Sequence, residues 1–251
     1  MRLPKTGDET SRTLQLTVTA AILTACGGAP TSAPTTQPGH PGHHAHGAAG
    51  EGGAYRSQGM PHSFDDPQQW ARRFEDPSRD AWQKPDEVVA ALVDRPDLTV
   101  VDIGAATGYF PVRFARAVPQ GRVIGVDIEP SMVQYLAARA KDEALANLSA
   151  RLGQPTDPLL GDDRPDLVFV CNTYHHIGDR TAYFAAVRGR MAPGSRLAIV
   201  DFRLDSEHGP PPVHRVPPQV TIDELTAAGW TLKANHDFLH DQYLLVFDSG
   251  L

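Results

Sequence analysis

From residue 98 onward the apolar positions fall into two alternating patterns. Compact runs rich in branched and aromatic side chains occur at 98–103, 122–127, 148–152, 166–171 and 196–202, and each reads as a buried strand. Stretches with helical spacing lie between most of them, at 109–118, 131–145 and 181–191. Strands that alternate with helices build βαβ units, hence a parallel sheet covered on both faces. The end of the chain breaks this rule. A helix at 221–228 is followed by strands at 230–239 and 242–247, and the short link His240-Asp241 permits a hairpin, so the last strands should run antiparallel. Ahead of the first strand, Asp66-Pro67 opens an amphipathic segment in which Trp70 and Phe74, four apart, share a face. A second helix runs from Pro85 to residue 93, with Asp86 and Glu87 in its first turn. No internal repeat is present.

The first 62 residues follow neither pattern. Arg2, Lys5 and Arg12 precede a modest apolar run that ends in Leu23-Thr24-Ala25-Cys26-Gly27-Gly28. A basic start, a short apolar centre and a small-residue end resemble a bacterial lipoprotein signal, in which the cysteine, here Cys26, is acylated. Acyl chains would hold the protein at a membrane in the cell envelope; a cytoplasmic location is the alternative. Residues 26–62, rich in Pro, Gly, Ala, Thr and His, bury too little apolar surface to offset their ordering entropy and read as a flexible tether. His40, His43, His44 and His46 cluster in it without a defined ligand geometry. The expected organisation is a signal segment over 1–25, a linker over 26–62, a helical lid over 63–96 and a main domain over 97–251.

Charge and cysteine usage narrow the function classes. The formal net charge of −7, with no dense Lys/Arg run, argues against a nucleic-acid partner. Cys26 and Cys171 are the only cysteines and sit in no metal-type spacing, so no metal site is expected. The 41% hydrophobic share supplies a core for one substantial domain. Oligomeric state is not readable from the sequence.

The most informative stretch is Val100-Val101-Asp102-Ile103-Gly104-Ala105-Ala106-Thr107-Gly108-Tyr109-Phe110. A buried strand ends, and a turn of small residues leads into a helix, which lets backbone approach a ligand at the carboxyl edge of a sheet. Asp127 ends the next strand nineteen residues beyond Gly108, where a carboxylate can accept from both ribose hydroxyls, and Ile128 follows it. Nicotinamide-binding folds use both features too, so they do not select a cofactor. The wider set does. Together with Asp166-Leu167-Val168-Phe169-Val170-Cys171-Asn172-Thr173-Tyr174-His175-His176-Ile177 and Met191-Ala192-Pro193-Gly194, the chain resembles class I S-adenosylmethionine-dependent methyltransferases, near the quinone-type and bacterial small-molecule groups. That resemblance implies a Rossmann-like three-layer α/β sandwich. Its seven-stranded sheet would have order 3-2-1-4-5-7-6, with strand 7 antiparallel.

By the same resemblance, S-adenosylmethionine is the cofactor. Asp102 would hold its amino group, Gly104, Ala106 and Gly108 would shape the loop, Asp127 and Ile128 would meet ribose and adenine, and Asn172 would contact it from the fourth strand. Ala106 stands where the family has glycine. After the third strand, Gln154, or alternatively Asp157, would meet the adenine amino group.

The implied reaction is methyl transfer to a small molecule by in-line displacement. Oxygen or nitrogen acceptors need a base, and a neutral imidazole suits that task. His175 and His176, just beyond the fourth strand, are candidates. So is His214 with Arg215, in the long proline-rich segment after the fifth strand, where they would face an anionic or enolic substrate. Tyr109 and Tyr174 could stack on ligand or pack in the core, and Trp82 could line the pocket or anchor the lid. The rival readings are a non-catalytic S-adenosylmethionine-binding module and an NAD-dependent oxidoreductase. An acylated Cys26 makes one direct prediction: Cys26→Ala moves the protein from the membrane to the soluble fraction on ultracentrifugation, and unchanged fractionation counts against acylation.

Overall fold

The computed structural model describes residues 66–251; Cys26 and the histidine-rich segment lie outside them. Three short helices come first: α1 (Pro67–Phe74), α2 (Ser78–Gln83) and α3 (Pro85–Leu92). The remainder alternates as β1 (Thr99–Ile103), α4 (Pro111–Ala117), β2 (Arg122–Asp127), α5 (Pro130–Asp142), β3 (Leu148–Leu152), β4 (Leu167–Cys171), α6 (Arg180–Arg188), β5 (Arg196–Phe202), α7 (Pro218–Ala227), β6 (Thr231–His236) and β7 (Gln242–Asp248). Short 3-10 turns at Tyr174–His176 and Pro212–His214 follow β4 and β5. Proline opens α1, α3, α4, α5 and α7, a position where its missing N–H has no intrahelical partner to lose. The Asp66 carboxylate caps α1 by accepting from the N–H groups of Gln68 and Gln69, both at 3.1 Å. No helix among the described residues is long and apolar enough to cross a membrane.

The sheet has the order β3-β2-β1-β4-β5-β7-β6. Five strands are parallel, and β7 runs antiparallel to both β5 and β6. The expected topology is therefore the observed one. One helix was not anticipated: α2 lies in a stretch too short and too polar to show a period, and tertiary contacts hold it. Apolar side chains leave the sheet on both faces. Val100, Phe169 and Val200 pack with Phe110, Phe114 and Leu92 on one side, and Val101, Val168 and Ile199 with Phe184, Tyr174 and Trp230 on the other. Phe169 meets the rings of Phe110 and Phe114 at 4.7 and 5.0 Å. Fully buried Trp230 still satisfies its indole N–H, which donates to the Phe184 carbonyl at 3.0 Å.

The parallel register delivers the ends of β1, β2, β4 and β5 to one edge, since Ile103 lies opposite Val126 and Val170, and Cys171 opposite Val200. The turns that leave this edge are crowded. Gly104 has φ +80°, and a Cβ there would stand 2.1 Å from Thr173 Oγ1, so the turn after β1 and the turn after β4 touch through the absence of a side chain. Gly104→Ala is expected to destabilise the fold by about 1–3 kcal/mol from overpacking and a further ~1–2 kcal/mol from the left-handed backbone, read as a fall in the urea midpoint.

Candidate active site

The site is built on four strand ends. At the end of β1, Asp102 is 3% exposed. Burial and the nearby Asp127 carboxylate push its pKa well above the usual carboxylate range, and Arg79 opposes them; no hydrogen bond is among the influences on it. At the end of β2, Asp127 accepts from the N–H groups of Ala106 (2.8 Å) and Glu129 (3.0 Å). Burial raises its pKa too, against the lowering effect of those bonds. The Ala106 contact explains how the loop accommodates a non-glycine residue. Ala106 adopts φ +45°, and its N–H is aimed at Asp127 as a fixed part of the turn. Beyond Asp127, Ile128 is 52% exposed, and Leu152, at the end of β3 and paired with Asp127 in register, is 46% exposed. Two large apolar side chains thus stand open beside a carboxylate. Gln154 and Asp157 pair backbone to backbone in the turn after β3, and the Gln154 side chain is exposed.

At the end of β4, Asn172 sits in the left-handed region at φ +55°, a conformation that asparagine tolerates. Its side-chain carbonyl accepts from Gln242 of β7. Gln242 in turn accepts from Gln83 of α2 at 2.8 Å, and Gln83 also donates to Cys171 Sγ at 3.1 Å. Gln83 and Gln242 are essentially buried, so a row of amides runs from α2 through β7 to Asn172. Burial drives the Cys171 thiol far up, which keeps it in the inert, protonated form.

His175 lies on the 3-10 turn after β4, and Asp201 lies in β5 beside it. His175 Nδ1 is 2.9 and 3.0 Å from the two Asp201 oxygens, and the His175 backbone N–H donates to the same carboxylate at 3.2 Å. Both residues are buried. A carboxylate can only accept, so Nδ1 carries the proton and Nε2 keeps its lone pair. The His176 ring lies 4.2 Å from that of His175 and is exposed.

Several expectations change at this point. His214 is half-buried on its 3-10 turn and takes no part in the His175–Asp201 pair. Arg215 does not face a substrate. It is 5% exposed and donates to the carbonyls of Arg203, Leu204, Ser206, His208 and Pro210, which makes it the internal staple of the long segment. Tyr174 is core: it stacks on Phe184 at 5.4 Å, and its hydroxyl donates to Glu224 at 2.7 Å. Trp82 anchors α2, stacked on His208 at 4.6 Å and tilted against Phe202 at 5.9 Å. Sequence reasoning passed over Asp201, Gln83 and Gln242. Only Asp201 carries a signal, as an acidic residue near the carboxyl end of a buried parallel strand.

Helices α1 and α2 are tied to the glycine-rich turn by charge. Glu75 accepts from Thr107 Oγ1 at 2.8 Å and from Arg139 at 2.6 Å. Asp80 accepts from the Tyr109 hydroxyl and from Arg113. Arg79 and Arg113 stand over the Tyr109 ring at 3.9 and 4.1 Å. Among the described residues no cluster of three His, Cys, Asp or Glu is placed to hold a metal.

Comparison with known proteins agrees with this geometry. Nocamycin O-methyltransferase of Saccharothrix syringae is 32% identical over 111 residues, which cover 43% of this chain and 39% of that protein. The matched region thus spans about two fifths of that relative's length. Among solved structures, a SAM dependent methyltransferase from Aquifex aeolicus superposes with a TM-score of 0.68 at 22% identity, over 73% of this chain and 98% of that one. Magnesium protoporphyrin IX methyltransferase from Synechocystis, solved with bound SAM, gives 0.57 at 20% identity, over 74% and 92%. A family described as "Methyltransferase domain" matches residues 94–233. That match takes in more than half of the 251 residues, and the chain belongs to this methyltransferase family.

Proposed function

We propose that the protein is an S-adenosylmethionine-dependent methyltransferase acting on a small molecule with an ionisable O–H or N–H. The observation that carries the reading is the His175–Asp201 pair, set one strand away from the unpaired Asp102 carboxylate. The residues present fit the cofactor. Asp102 is a buried carboxylate without a hydrogen-bond donor and suits an ammonium group. Asp127 suits ribose hydroxyls, and Ile128 with Leu152 offers open apolar surface for a purine. When bound, S-adenosylmethionine supplies a methyl group already activated on sulfur. The similarity to nocamycin O-methyltransferase and to erythromycin 3''-O-methyltransferase supports small-molecule methylation.

The chain's own contribution is placement and proton removal. His175 Nε2 accepts the acceptor's proton as the nucleophile forms its new bond. The resulting imidazolium keeps its Nδ1–H on Asp201, whose carboxylate stabilises the added charge and holds the ring in one orientation. The lid excludes water from the strand ends through Trp82 and the Arg79–Tyr109–Arg113 stack, which favours alignment of the reacting atoms.

Two outcomes test this. His175→Ala is expected to lower turnover by about 10²–10⁴-fold across a panel of phenolic, hydroxy-acid and amine acceptors followed by S-adenosylhomocysteine release. Calorimetric binding of S-adenosylmethionine should stay within about two-fold of wild type, well inside the factor of ten that 1.4 kcal/mol represents. Absence of cofactor binding to the wild-type chain would sink the whole reading. Asp102→Asn separates function from stability. Because folding raises the Asp102 pKa, the stability it contributes is complete below its ordinary value of 3.8 and is lost as pH rises through the raised one. At neutral pH the Asn variant should therefore melt higher than wild type and bind S-adenosylmethionine about ten-fold or more weakly, since a hydrogen bond to a charged group is lost.

A further inference from the structure

The buried amide row has a direction. Arg79 Nε donates to the side-chain carbonyl of Gln83. A guanidinium has donors only, so Gln83 turns its oxygen toward Arg79 and its N–H groups away. Both N–H groups are used, one on Cys171 Sγ at 3.1 Å and one on the Gln242 side-chain carbonyl at 2.8 Å. Gln242 is left with its nitrogen end for Asn172, and Asn172 Oδ1 accepts from it. A single amide can flip. Here a flip sets donor against donor or oxygen against oxygen, and Gln83 and Gln242 are too deeply buried to turn to water instead. Arg79 is itself fixed by the Phe74 carbonyl at 2.8 Å and by the Tyr109 ring at 3.9 Å.

Asn172 ends the row. Its backbone N–H donates to the Val200 carbonyl at 2.9 Å, which clamps the residue at the end of β4. With Oδ1 spent on Gln242, its Nδ2 carries two N–H groups that have no partner among the described residues. Asn172 is half-buried at the carboxyl edge of the sheet and opens the turn that carries His175 three residues later. That turn thus offers a fixed donor and, in His175 Nε2, a base. An amide oxygen in the same place would offer the opposite chemistry. Nothing in Asn172 itself chooses between the two ends; the choice is made at Arg79.

A donor beside the base suits one kind of nucleophile. A hydroxyl gives its proton to His175 and spends one lone pair on the new O–C bond, while the electron pair of the broken S–C bond stays on sulfur. Its oxygen keeps another lone pair, which accepts from an N–H. A neutral amine has a single lone pair, which the new bond consumes, and its own N–H groups need an oxygen to donate to. We propose that Asn172 contacts the acceptor and, with its polarity set by Arg79 through Gln83 and Gln242, selects oxygen over nitrogen, so that the protein methylates hydroxyl groups. The proposal rests on the methyltransferase reading above and narrows its acceptor class. Asn172 makes the contact, and Arg79, Gln83 and Gln242 are positioning residues.

The row can be inverted from its far end. In Gln83→Glu the carboxylate stays ionised against Arg79 and only accepts. Gln242 then turns its nitrogen to residue 83 and its oxygen to Asn172, and Asn172 presents Oδ1 outward. Asn172→Asp removes the donor directly. The test is kcat/KM, followed by S-adenosylhomocysteine release, on matched acceptors: phenols with anilines, and hydroxy acids with amino acids. Wild type should favour the hydroxyl member of each pair. Both variants should lower the hydroxyl-to-amine ratio by about ten-fold or more, the scale of a buried donor or acceptor left unpaired. Their calorimetric affinity for S-adenosylhomocysteine should change less than about two-fold, since only the acceptor side is altered. Gln83→Met, which removes the instruction without reversing it, should lower the ratio less than Gln83→Glu. A wild type that takes amines as readily as hydroxyls, or that binds S-adenosylhomocysteine and takes neither, overturns the inference. So does a ratio left unmoved by a folded Gln83→Glu or by Asn172→Asp, or a matching loss of S-adenosylhomocysteine affinity. If wild type does not bind S-adenosylhomocysteine at all, the cofactor reading itself fails.

Discussion

Strand β1 is buried on both faces and hydrogen-bonded along both edges, to β2 and β4. The rest of the site takes its position from that confinement. A strand so enclosed can release its chain only at its end, so Asp102 and the turn that follows are held against the neighbouring strand ends. The turn passes close enough to Thr173 that only glycine fits at 104. Ala106 then points its N–H at Asp127, which links the first two strand ends directly. The loops are rigid where the ligand would lie because the sheet leaves them no alternative path.

The first two helices are held by a different kind of force. Beside the packing of Trp82 on Phe202 and His208, polar bonds join α1 and α2 to the domain. Their seats are Glu75 on Thr107 and Arg139, Asp80 on Tyr109 and Arg113, and the buried amides of Gln83 and Gln242. Polar bonds of this type are directional and leave large penalties when broken inside a protein. They fix where a helix sits more sharply than apolar contact would. The long segment after β5 is organised in the same way, around the Arg215 guanidinium and the Trp82–His208 stack.

The catalytic reading depends on one pair that crosses two strands. His175 alone is a histidine on a turn. The proposed role as a base leans on Asp201, whose carboxylate accepts from Nδ1 and so, in the neutral ring, selects the tautomer with its lone pair on Nε2. His214, chemically identical, has no carboxylate partner among the described residues, and this separates the two candidates.

The sequence by itself determined the sheet. Alternating strand and helix periods and the closing hairpin sufficed for seven strands, a mostly parallel sheet and antiparallel last strands, because burial on two faces imposes patterns that single residues cannot hide, and the resemblance to class I methyltransferases supplied the strand order that the structure shows. It also marked Asp102, Gly104, Asp127 and His175, which stand at strand ends where any parallel sheet presents its ligands. Helix α2, the Gln83–Gln242–Asn172 row, the Asp201 partner and the inward turn of Arg215 were decided by the tertiary structure. The first three depend on hydrogen bonds between residues far apart in the chain, and the last on carbonyls that only the folded loop turns inward. A glutamine that will be buried reads the same as one that will be exposed, and only the packed chain shows which polar groups have lost water and must find one another.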